Sequence, residues 1–218
     1  MTHSLHRRGT PESLKNDYVL LVTAAADVNH EGSKWKLQKV LEIVWEVGPA
    51  NIGSYNTGTI LAGTDIETIK NSLNEVPRVR CSFSSKEKIW EAIEKIKDLD
   101  LGMSVTVEGP TEDILQKSKE LGIKPHSVNL SIDIWGKKEE LPPEEVLEFV
   151  TMCGHGLISQ HLVKKTIEEV KAGKRTPRSA AVLIGRPCVC GIYNPDRAEE
   201  LFTKYVPEVA EVTAGTSD

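Results

Sequence analysis

Residues 78–85 read RVRCSFSS, and in this run apolar Val79, Cys81 and Phe83 alternate with polar Arg80, Ser82 and Ser84. A period of two is the mark of a strand with one buried face. Two further runs share it, GMSVTVEG at 102–109 and HSVNLSIDIWG at 126–136. Between them lie stretches of helical period, Lys86 to Leu99 and Thr111 to Leu121. One sheet face then collects Val79, Cys81, Phe83, Val105, Val107, Val128, Leu130 and Ile132, and the other Arg80, Ser82, Thr106, Asn129, Ser131 and Asp133. A doubly wound parallel sheet would show nearly continuous apolar strands. The alternation therefore predicts a mixed α/β (α+β) fold. The specific expectation is a two-layer sandwich with helices on one face of a mixed sheet, ferredoxin-like or related.

Upstream, YVLLVTA at 18–24 reads as a buried strand, and Lys34 to Val47 carries apolar residues at helical spacing up to the stop Gly48-Pro49. The stretch NIGSYNTGTILAGTD, 51–65, reads as a weak strand breaking into a glycine-spaced loop, after which Thr64 or Asp65 caps a helix running to about Glu75. Downstream, KKEELPPEE at 137–145 is a charged, proline-bearing linker, and four helices are expected beyond it. The first starts near Pro143, the second near Ser159, the third at Thr176-Pro177 and the fourth at Asn194-Pro195. This divides the chain into a loosely ordered N-terminal arm (1–16), an α/β sandwich (17–136), a small all-helical metal-binding subdomain (137–206) and a mobile tail (207–218).

The helix boundaries place the thiols. Cys153 and His155 fall in the loop CGHG between the first and second of these helices, and Cys188 and Cys190 in the loop PCVCG between the third and fourth. A compact helical set brings both loops to one end, so these four residues are the candidate metal ligands. Cys81, the fourth cysteine, shares a face with Val79 and Phe83 and is expected to be a buried core thiol.

The chemistry of the donors ranks the cofactors. Zinc sites usually show Cys-x₂₋₄-Cys pairs, and neither loop has one. Iron–sulfur clusters take mainly thiolates with an occasional histidine. Cys153, Cys188 and Cys190 with His155 would complete a cluster, 4Fe-4S being the form expected, and the three cysteines alone would leave one iron open to substrate. A Cys₃His zinc site stands as the alternative. A metal-free small-molecule-binding or thiol enzyme, using the polar sheet face, stands as a third. General acid or base work is assigned to His155, His126 or Asp133.

Composition bounds the rest. At 218 residues, with 39% hydrophobic and 27% charged residues, the chain has enough apolar mass for a core without disulfide staples. A net charge of −5 argues against nucleic-acid binding. Clustered cysteines without a signal-peptide pattern point to a reducing, cytoplasmic setting, and no apolar run reaches membrane-spanning length. The expected partners are a redox protein or a small-molecule substrate, and the polar sheet face is either roofed by loops of the helical subdomain or used in a homodimer. His3, His6, Arg7 and Arg8 form a basic arm, read first as a frayed terminus and second as an arm that folds over an anionic ligand.

Overall fold

A computed structural model describes residues 7–73 and 78–206. Five antiparallel strands form one sheet in the order β3-β2-β4-β1-β5. They are β1 (Tyr18–Thr23), β2 (Asn51–Ser54), β3 (Gly58–Thr59), β4 (Arg78–Phe83) and β5 (Ser104–Glu108). After a short α1 (Pro11–Leu14), helix α2 (Lys34–Val47) joins β1 to β2, and α3 (Ile66–Asn71) precedes β4. Helix α4 (Lys86–Asp98) joins β4 to β5, and α5 (Thr111–Glu120) follows. The C-terminal helices are α6 (Glu144–Val150), α7 (Gln160–Lys171), α8 (Pro177–Gly185) and α9 (Pro195–Tyr205).

Local chemistry sets these ends. Asp65 accepts the Thr68 amide at 2.8 Å to start α3, Gly48 closes α2 at φ +84°, and the Asn194 side chain accepts the amides of Asp196 and Arg197 at 3.2 Å to start α9. A strand face alternates, so β1 and β4 feed two cores. Tyr18, Leu20, Val22, Val79, Cys81 and Phe83 pack under α2 and α4, among Leu37, Val40, Leu41, Val44, Ile89 and Ile93. On the other side Val19 joins Phe149, Val163, Ile184, Tyr193 and Phe202 of the C-terminal helices. At roughly 1.5–3 kcal/mol for each large aliphatic or aromatic side chain buried, each layer contributes a substantial share of the folding energy.

Two expectations change. The helices cover both sheet faces, not one. The polar face of β4 and β2 is sealed by the chain around Tyr193, whose carbonyl accepts Ser82 Oγ at 3.0 Å and Asn51 Nδ2 at 3.1 Å. Those serine and asparagine side chains are there to satisfy a carbonyl of the covering layer, which explains why they replace better strand formers. The homodimer expected through that face finds it occupied.

The run at 126–136 is also not a sheet strand. It forms no ladder, and its apolar side is largely bare, from 56% exposed at Val128 and 66% at Leu130 to 75% at Ile132. β5 is left as the sheet edge beyond β1. Alternation says which side of a strand would be buried, and not whether an edge is offered to it.

Two ends of the chain meet the expectation differently. The tail at 207–218 and residues 1–6 lie outside the described residues, as does the predicted end of α3 at Glu75. Arg7 and Arg8, read as part of a frayed arm, are docked. Arg7 pairs with the buried Asp17, and Arg8 pairs with Glu144 at 2.5 Å.

Candidate functional site

The loop after α6 carries Cys153, and the loop after α8 carries Cys188 and Cys190. All three thiols are buried and reduced, and they lie within hydrogen-bonding reach in the order Cys153, Cys188, Cys190. Main-chain amides surround them. The peptide groups of His155 and Leu157 favour negative charge on Cys153, those of Cys190 and Tyr193 on Cys188, and that of Ile192 on Cys190.

The thiols share that environment unequally. Cys188 sits in the middle, and the hydrogen bonds from its two neighbours, reinforced by two amides, hold its thiol far below the ordinary range. The same hydrogen bonds, with burial and the Cys188 charge, push Cys153 and Cys190 up.

The loop geometry depends on close backbone approach. Gly191 sits at φ +88°, and a Cβ there would lie 2.6 Å from the Ile52 carbonyl carbon and still nearer the Gly53 amide. The cysteine loop therefore rests directly on the backbone of β2, which only glycine permits. Arg7 ties the other side. Its guanidinium donates to the carbonyl of Met152 at 3.1 Å and to that of Ile192, so one side chain spans both cysteine loops. Asp17 anchors Arg7 from below and is shared with Arg197 at 2.7 Å and Asn194 at 3.2 Å. Burial alone would raise the Asp17 carboxyl, but Arg7, Arg197 and Asn194 outweigh it and hold it below the usual carboxylate range.

Toward solvent the site is framed by His155, Tyr55 and Arg80. His155 Nδ1 lies 3.7 Å from Cys190 Sγ, and its Nε2 is hydrogen-bonded to the Tyr55 hydroxyl. Tyr55 stands in the turn between β2 and β3, and the Arg80 guanidinium of β4 lies 4.3 Å from its ring centroid. Burial lowers the His155 imidazole; the Cys188 charge works against this and Arg80 with it, so the ring is neutral at pH 7. On the opposite side a cleft of about 370 Å³, lined by Leu147, Val150, Cys153, Gly154 and Ile158, runs up to Cys153.

The structure thus brings Cys153, His155, Cys188 and Cys190 together. Among the described residues, however, no group of three or more His, Cys, Asp or Glu side chains is disposed around a point a metal ion could take. The thiols are in mutual contact, and no coordination shell is closed. His126 and Asp133 are not brought to them. Both are exposed on the bare 126–136 run, and Asp133 pairs with Lys138 at 2.6 Å. Cys81 lies in the other core, its Sγ 3.9 Å from the Leu20 carbonyl, with its thiol pushed up by burial.

Sequence reading passed over Tyr55 and placed Arg7 only within a basic arm. Tyr55 carries a usable signal, an aromatic in a glycine-rich turn where a loop needs none. Arg7 carries none, because its partners are 10, 145 and 185 positions away. No helix is long and apolar enough to cross a membrane among the described residues. No family model matches the chain, and no curated protein or solved structure matches it significantly.

Proposed function

We propose that the chain is an iron–sulfur protein, a 4Fe-4S redox protein or cluster-dependent enzyme, with Cys153, Cys188 and Cys190 as thiolate ligands and His155 as the fourth. The observation that carries the reading is the gathering of three buried, reduced cysteines from two separate loops at one place, with His155 beside Cys190. Hydrogen bonds to sulfur, burial and net charge are what tune such clusters. The donor set fits the group by softness and charge. Bound there, it would supply one-electron transfer, with Lewis acidity at any iron left without a protein ligand. The protein's own part is to hold the three sulfurs on two loops, to exclude water from their inner side and to keep His155 neutral.

His155 is suited to a ligand's role. With its proton on Nε2 the Tyr55 hydroxyl accepts it, which leaves the Nδ1 lone pair on the Cys190 side. Bonds of roughly 2.3 Å to sulfur and 2.0 Å to nitrogen at a tetrahedral metal separate the two ligands by about 3.5 Å. The observed 3.7 Å is near that spacing. Each iron of a 4Fe-4S cluster takes a single protein ligand, so this spacing belongs to one metal ion and supports the second reading, a Cys₃His zinc site of structural purpose. The strand order β2-β4-β1-β5, with α2 and α4 as crossovers, supports a ferredoxin-like core on which the C-terminal helices are mounted as the cofactor-bearing part.

Serine in place of Cys188 and Cys190 tests the reading. Loss of visible absorption and iron from anaerobically purified protein is expected, with both retained in Cys81→Ala. Colour and iron surviving in the double variant contradict it. A redox protein or a small-molecule substrate is the partner this reading requires. A homodimer belongs to it as well, through the bare strip Val128, Leu130 and Ile132 laid on the unpaired β5 edge of a second copy. Each copy offers both halves of that contact, so the exchange closes on itself.

A further inference from the structure

Arg80 is the cation of the site, and the fold leaves it without an acid. The residue is 6% exposed, and no ion pair to a carboxylate is formed by it among the described residues. Its Nε is buried without a hydrogen-bond partner. Its one close polar-aromatic contact is the Tyr55 ring, at 4.3 Å, which covers a face of the guanidinium and leaves its donor edge unserved. A desolvated arginine with idle donors is costly unless something accepts from them.

The neighbouring thiolate does not fill that role. Cys190 and Arg80 act on each other only through space, with no hydrogen bond between them among the described residues. What lies outward of Arg80 is Tyr55, 47% exposed, and the part-exposed His155. Solvent is therefore one side chain away from an unpaired guanidinium that stands beside the thiol cluster.

From this arrangement we infer that Arg80, Tyr55 and His155 form a receptor for a small-molecule oxyanion, a carboxylate or phosphate group, delivered to the mouth of the three-cysteine site. A guanidinium presents parallel N–H donors that fit two oxygens of either group. Tyr55, in a turn and half exposed, swings aside or stacks on the ligand. His155 Nε2 and the Tyr55 hydroxyl supply further polar contacts once their mutual hydrogen bond opens. The inference deepens the proposed reading by naming the class of ligand brought beside the cofactor, and it rests on that reading only for what the anion meets there.

The experiment is a titration of the full chain, purified anaerobically, with acetate and separately with inorganic phosphate. The Arg80 Nε–H nuclear magnetic resonance signal and a binding isotherm are followed together. At least one probe is expected to saturate at millimolar concentration and to shift the Arg80 signal. Arg80→Gln is expected to weaken binding at least tenfold with metal and sulfide content unchanged, and Arg80→Lys to retain part of it. Saturation by acetate alone assigns a carboxylate, and by phosphate alone a phosphate. Absence of saturation by about 50 mM, far weaker than a millimolar site, overturns the inference, as does an Arg80 signal that stays fixed while a probe binds. Loss of metal in Arg80→Gln overturns it too, because Arg80 would then be the counter-charge of the thiolates. A chain without metal that still shifts the Arg80 signal refutes the cluster and leaves the oxyanion receptor standing.

Discussion

Gly191 and Gly53 meet backbone to backbone. A Cβ on Gly191 would fall inside the contact distance of the Gly53 amide and lie 2.6 Å from the Ile52 carbonyl carbon, and the loop bearing Cys188 and Cys190 is seated on β2 through that gap. The position also carries φ +88°, a conformation other residues adopt only under strain. The location of two thiols is thus set by the absence of a side chain on the residue that follows the last of them.

Gly191→Ala is therefore expected to cost about 3 kcal/mol or more in urea denaturation and to expose Cys188 and Cys190 to alkylation. Gly173→Ala is the control. It shares a positive φ of +65° but has open space where its Cβ would go, so the cost there is expected to be about 1 kcal/mol with thiol reactivity unchanged.

Arg7 is expected to behave as a clasp. Arg7→Met removes the donor shared by the Met152 and Ile192 carbonyls and leaves Asp17, fully buried, with Arg197 as its remaining ion-pair partner. A loss of about 3 kcal/mol is expected from breaking a buried pair. Faster alkylation of all three site cysteines in the folded protein would separate this role from simple destabilisation.

These two residues also mark where sequence reading ends. The ends of α2 and α9 were legible because Gly48 and Asn194 act on backbone within one turn. The two cysteine loops were legible because each lies between two well-marked helices. The covering of the polar sheet face was legible only as one of two readings, from its serines and asparagine, since Ser82 and Asn51 find the Tyr193 carbonyl 111 and 142 positions away. Arg7 was misread for the same reason, and the 126–136 run because its pattern specifies a side and supplies no neighbour. Cys81 followed from strand parity alone and packs as that parity requires.

Glu108 gives the molecule a pH dependence. Both carboxylate oxygens are buried and without hydrogen-bond partners among the described residues, and desolvation, opposed by Arg7, raises the group to about 7. The folded chain therefore holds a proton that the unfolded chain has released above about pH 4.5, and stability contributed by this group falls as pH rises from there to 7. Glu108→Gln removes the penalty. The variant is expected to gain about 2–3 kcal/mol on the wild type between pH 4.5 and pH 8, read from denaturant midpoints at the two pH values.

The bare strip at Val128, Leu130 and Ile132 predicts self-association. Ile132→Asp is expected to shift the protein from dimer to monomer in sedimentation equilibrium with little change in the stability of the monomer, since the side chain is 75% exposed. A wild type that is monomeric at high micromolar concentration removes the dimer from the account.

The central claim is that the three buried cysteines brought together by two loops hold an iron–sulfur cluster. Iron, acid-labile sulfide and zinc per chain, measured on protein purified without oxygen together with its visible spectrum, test it most directly. The account predicts iron and sulfide in near-equal amounts, about four of each for a 4Fe-4S centre, with broad visible absorption. A colourless protein, with one zinc per chain or with three free titratable thiols at Cys153, Cys188 and Cys190, would contradict it.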